Sequence, residues 1–153
     1  MKKLKSSIIC LLLSTLCFNA VAQIHGSSKL DYEKPELFAD LPKKIELTIA
    51  ALESLLDLPS GHNVNLPLGR YITLQGIIIS KSDVDDNNVK TIVIKSNNRK
   101  GATLTFTRIS KEDGSFSYSG RMLSYNHSDA FEIVFEKGQY FLTKKKSLDM
   151  INE

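Results

Sequence analysis

Tryptophan is missing from this chain and cysteine nearly so: 153 residues hold no Trp and two Cys, Cys10 and Cys17. Both cysteines sit in the N-terminal stretch. Once that stretch is removed, the remainder has no disulfide, no thiol nucleophile and no thiolate metal site. Many small domains in oxidising compartments depend on disulfides. This one must rely on core burial, for which the 131 residues after Ala22 suffice. An excess of charge of one sign is lacking too. Three of the 20 basic residues (Lys2, Lys3, Lys5) and none of the 17 acidic ones precede Gln23, which leaves 17 against 17. A neutral domain lacks the broad positive field behind most non-specific nucleic-acid affinity, so nucleic acid is not an expected partner. Nor does any apolar run reach the roughly 20 residues that cross a bilayer, so no membrane span is expected in the mature chain.

The N-terminus itself has a recognisable order. Lys2, Lys3 and Lys5 form a positive region, and Ile8 to Leu16 is an apolar run broken by Ser14 and Thr15. Ala20-Val21-Ala22 then offers a small-x-small cleavage site. Residues 1–22 therefore read as a cleaved export signal. Ile9 precedes Cys10 and Leu16 precedes Cys17, so neither cysteine follows the small residue that a lipoprotein signal places there. The expected product is periplasmic or secreted, with a flexible lead-in over 23–36 and a single domain over 37–153.

Within that domain the hydrophobic period changes once. Leu41, Ile45, Ile49, Leu52 and Leu56 follow helical spacing, and Leu55 widens the stripe. Asp40 is placed to cap such a helix, Pro42 falls in its first turn, and Pro59 and Gly61 stop it. After Gly61 the pattern has period two. It predicts a short strand around Val64, Leu66 and Leu68, then strands over 71–80, 89–96, 102–110, 115–123, 130–136 and 139–144. Asp113-Gly114 and Lys137-Gly138 carry the signal of hairpin turns. No linker after residue 70 has the length that parallel neighbours need, so the sheet is expected to be antiparallel. The expected class is α+β: one N-terminal helix packed on a curled antiparallel meander of five to six strands.

Candidate chemistry is sparse. Thr103, Thr105 and Thr107 fall on the face opposite the core, and Ser117, Ser119 and Arg121 fall on the matching face of the next strand. Across a hairpin these six would form a polar ladder. Such a ladder is either a solvated sheet face or a platform for a sugar or another protein. Tyr71 and Tyr125 are the aromatics near its margins. His25, His62 and His127 show no helical i, i+4 pair, so no metal site is expected. His127 and Asp129, with Ser124 or Ser128, have the residue types of a nucleophilic set, yet neighbouring Ser, Asn, His and Asp are also what a turn selects. Asp83, Asp85 and Asn87 match the opening of an EF-hand calcium loop, but Asn88 replaces the glycine and Ile94 stands where the bidentate Glu belongs.

These readings point to an exported, non-enzymatic binding module for an envelope or secreted protein or an extracellular polymer such as a polysaccharide. No cofactor and no catalytic residue is assigned. Two alternatives are a small secreted hydrolase using His127 and Asp129, and a carrier whose helix and sheet enclose a small apolar ligand.

Overall fold

The computed structural model describes residues 34–83 and 88–150. Eight strands form one sheet: β1 (Lys44–Glu46), β2 (Asn63–Gly69), β3 (Ile72–Asp83), β4 (Val89–Ser96), β5 (Ala102–Ser110), β6 (Phe116–Ser124), β7 (Asp129–Glu136) and β8 (Gln139–Lys146). The spatial order is β1-β8-β7-β6-β5-β4-β3-β2, and every pairing is antiparallel. The antiparallel order expected from the short connections holds. The sheet curls into a half-barrel whose concave side carries the core.

The α+β expectation is corrected. Among the described residues the fold is mostly β, with eight strands where five to six were expected, and α1 (Ile49–Glu53) has five residues in place of the helix expected from Asp40 to about Leu58. Lys44–Glu46 is instead an edge strand, paired through Ile45↔Leu142. The reason lies in a sequence with two readings. Lys44, Ile45, Glu46, Leu47 and Thr48 also alternate, and Ile45 and Leu47 are buried while Lys44, Glu46 and Thr48 are exposed. The free edge of β8 decides between the readings, because it supplies main-chain partners. The Leu47 N–H donates to the Tyr140 carbonyl at 3.0 Å, and the Lys144 N–H to the Lys43 carbonyl at 2.7 Å. Asp40, the expected cap, holds Arg99 instead (2.8 and 2.7 Å). Leu41, Ile45, Leu52, Leu55 and Leu56 are nonetheless all buried. The stripe is a true core stripe laid over a strand, a turn of helix and a loop.

That segment fills the half-barrel. Phe38, Leu41, Leu47, Leu52, Leu55 and Leu56 pack onto the inward side chains of the strands, such as Leu74, Ile92, Phe106, Met122 and Phe131. Phe38 is fully buried and meets the Phe131 ring edge-on at 5.2 Å. Burying a side chain of this size stabilises by about 2–3 kcal/mol, which is why the chain from Leu37 to Leu41 is drawn in.

The sheet departs from regular pairing between β6 and β7 and at its seam. β6 and β7 pair only at Arg121↔Glu132, Met122↔Phe131 and Leu123↔Ala130 and then splay, so the Tyr118 N–H donates to the Tyr140 hydroxyl at 3.2 Å. At the seam, the end of β2 comes against β1: a Cβ on Gly69 would lie 2.5 Å from the Glu46 carbonyl oxygen and 2.8 Å from Ile45 Cγ2. Among the described residues, no helix is long and apolar enough to cross a membrane. The expected signal over 1–22, most of the lead-in with His25, and the interior of the acidic loop lie outside the described residues.

Candidate functional site

The six residues of the expected polar ladder lie on the face opposite the core, but their register differs from a simple ladder. Thr105 stands opposite Arg121 and Thr107 opposite Ser119, whereas Ser117 faces Ile109 and Thr103 faces Leu123. Several of these groups already have internal partners. Thr107 Oγ1 lies 3.0 Å from Thr91 Oγ1 on the neighbouring strand. Arg121 Nη2 lies 3.6 Å from Glu132, and its Nη1 donates to the Met150 carbonyl at 3.0 Å, holding the 3-10 turn Ser147–Met150 against the sheet.

His127 and Asp129 are turned to different tasks. The Asp129 carboxylate, 3% exposed, accepts the Leu37 and Phe38 N–H groups at 2.7 and 2.9 Å. His127 Nδ1 lies 2.8 Å from Ser124 Oγ, and Ser124 is 2% exposed. The pair sits in the β6–β7 turn, where the His127 N–H also donates to the Ser124 carbonyl at 3.2 Å. Among the described residues, no group of three or more His, Cys, Asp or Glu is placed to hold a metal ion.

A third cluster sits where α1 ends over the barrel. Tyr118 Oη donates to Glu53 Oε1 at 2.5 Å, and Arg108 Nη1 lies 3.9 Å from the same oxygen. Burial, together with that bond to a carboxylate, pushes the Tyr118 phenol up to about 12. Its ring stacks on Phe106 at 5.8 Å and meets Tyr140 edge-on at 5.4 Å. The cluster pins α1 to the sheet.

The seam is different. A cleft of about 530 Å³ opens between the outer edge of β1 and the tip of the β2–β3 hairpin. Ile45, Ala51, Pro67 and Gly69 give it an apolar lining, and its polar rim carries Lys44, Glu46, Thr48, Arg70 and Tyr71. Each rim residue arrives for a local reason. Lys44 and Glu46 are the outward positions of β1. Thr48 precedes α1 but makes no capping bond with its side chain. Arg70 and Tyr71 form the two-residue connection between Gly69 and its partner Ile72. Lys44 is held by Glu136 at 2.5 Å and lies over the Phe141 ring. The side chains of Glu46, Thr48, Arg70 and Tyr71 make no hydrogen bond or ion pair among the described residues. Tyr71 keeps 61% of its surface exposed. The cleft thus gathers an acceptor, a hydroxyl, a planar cation and an aromatic ring, all without internal partners among the described residues. Its volume falls within the range of small-molecule sites, roughly 300–1,000 Å³.

Sequence reasoning singles out Tyr71 as an aromatic near a polar face, but assigns it to the wrong neighbourhood. Glu46 falls within the segment read there as a helix. The one signal pointing to the seam is Gly69-Arg70-Tyr71, a polar connection between two alternating runs. No family model, no curated protein and no solved structure matches the chain.

Proposed function

We propose that the protein is an exported binding module without catalytic activity, and that it takes hold of its ligand at the seam cleft. The carrying observation is the set of four unpartnered rim side chains, Glu46, Thr48, Arg70 and Tyr71, around a recess of about 530 Å³. A few hydrogen-bonding groups around a recess with apolar lining are the usual make-up of a binding site. The residues of the outer polar ladder are a poorer candidate, because Thr107 and Arg121 are already engaged within the protein. Export rests on the positive, apolar and small-x-small order of residues 1–22. In the envelope or outside the cell, the natural ligands of such a module are another exported protein or an extracellular polymer.

The test is retention of the tagged protein on immobilised envelope and culture-fluid fractions, both protein and polysaccharide. The Arg70→Gln/Tyr71→Ala double variant is expected to lose retention, while Thr105→Ala keeps it. Retention that is indifferent to the double variant would overturn the cleft as the site.

A further inference from the structure

We infer that the seam cleft binds a saccharide carrying a carboxylate, a uronate-type unit within a chain. The inference rests on the reading of the cleft as the binding site and names its ligand class. Three features of the rim carry it.

Tyr71 presents a largely uncovered aromatic ring at the edge of the recess. The apolar face of a sugar ring can lie on such a surface with little loss of side-chain freedom, since a tyrosine has only two χ angles to fix. Arg70 is the cation left available at the rim, because Lys44 is held by Glu136 and covered on one side by Phe141. A guanidinium presents a planar fork of donors that matches a carboxylate bidentately. Glu46 and Thr48 supply the opposite chemistry, a carboxylate and a hydroxyl able to accept hydrogen bonds from sugar hydroxyls. An acceptor on β1 and a cation on the hairpin tip give the recess two unlike sides. The acid group of the ligand belongs beside Arg70 and its hydroxyls beside Glu46. A dianionic group such as a phosphate would be repelled by Glu46 more strongly than a monoanionic carboxylate.

The backbone of the seam argues against an extended peptide. Strand addition requires a run of free main-chain donors and acceptors along an edge. On β2 that run is broken by Pro67, which has no N–H. It is closed off again where Gly69 lies against the Glu46 carbonyl. A saccharide needs no ladder, and it meets the side chains that are present.

The experiment titrates the isotopically labelled protein with tetragalacturonate and, separately, with uncharged maltotetraose, following backbone amide shifts and measuring Kd by calorimetry. Tetragalacturonate is expected to shift amides of residues 44–48 and 69–71. The same titration should give a Kd about tenfold weaker in Arg70→Gln and at least tenfold weaker in Tyr71→Ala, with melting temperatures unchanged. Raising the salt concentration should weaken the wild-type interaction, because an exposed ion pair is screened. Maltotetraose binding as tightly, with no loss in Arg70→Gln, would overturn the acidic class. Should neither sugar shift the cleft while retention on cell fractions still depends on Arg70 and Tyr71, the saccharide class falls and the cleft remains the binding site. Should retention also ignore those residues, both readings fall.

Discussion

The half-barrel is closed in two places on opposite plans. At the end covered by residues 35–41, several polar groups meet partners inside the protein. Asp129 takes two backbone N–H groups, and the Ser128 N–H donates to the Pro35 carbonyl at 3.1 Å. Arg99 bridges the Leu37 carbonyl and Asp40, and Lys144 donates to the Phe38 carbonyl. The Arg99 bond holds the Asp40 carboxyl below its ordinary value. At the seam the closure is one close backbone approach, Gly69 against Glu46, and four side chains beside it bond to nothing among the described residues. A polar group satisfied within the fold gains little from a ligand, whereas an unsatisfied one at a recess does. The comparison therefore separates the part of the molecule that holds the fold from the part able to bind.

The comparison is broken most forcefully at the pinned end. Asp129→Ala leaves two amide donors, on Leu37 and Phe38, without their acceptor, at about 1–3 kcal/mol for each buried group. A loss of about 3 kcal/mol in urea unfolding is expected, and a loss below about 1 kcal/mol would show that the 35–41 segment is not pinned by this carboxylate. Next in size is the seam. Gly69→Val places a Cβ where the Glu46 carbonyl already sits, so the two edges must move apart. Overpacking of this kind costs about 1–3 kcal/mol, and amide shifts at 44–48 would report the displacement of β1.

Tyr118→Phe tests the paired cluster under α1. Removing one hydroxyl bonded to a carboxylate is expected to cost about 1 kcal/mol near neutral pH. The pH profile carries a sign. The folded phenol titrates at about 12 against 10.0 for an unperturbed tyrosine, so its contribution is present in full below pH 10. Between pH 10 and 12 the unfolded chain releases this proton and the folded one keeps it, so stability falls as pH rises through that window. In Tyr118→Phe that part of the slope disappears, and an unchanged alkaline slope would contradict the assignment. The smallest effect on stability is expected at the seam rim. Arg70→Gln and Tyr71→Ala remove no internal bond and should stay within about 0.5 kcal/mol of the parent in thermal unfolding. A larger loss at either residue would make the rim structural and erase the contrast between the two regions.

The strands are the legible part of the fold. In Ala102–Ser110 the buried Ala102, Leu104 and Phe106 alternate with threonines, and Lys137-Gly138 forms the expected tight turn, both residues at positive φ. The stretch from Leu41 to Leu56 is not legible in the same way. Its apolar residues satisfy helical spacing, and within it Lys44 to Thr48 also satisfy alternation, so periodicity alone names the buried residues without naming the conformation. The candidate site is harder still. Glu46 and Arg70 belong to different elements, and nothing local announces that β1 and β2, at opposite ends of the strand order, curl toward each other.

Which side chains are buried, where most strands begin and end, and that neighbouring strands run antiparallel all follow from the sequence by itself. These properties are local: the pleat has period two, short connections exclude crossovers, and apolar surface leaves water wherever it lies. The tertiary structure alone decided that Lys44–Glu46 would pair with β8 rather than coil into a helix. It also decided that Asp129 would hold Phe38 in the barrel, and that Glu46, Thr48, Arg70 and Tyr71 would share one cleft. Each of those outcomes depends on a partner group many residues away, and the energy of a main-chain pair or a cleft exists only once the sheet has curled to bring the two sides together.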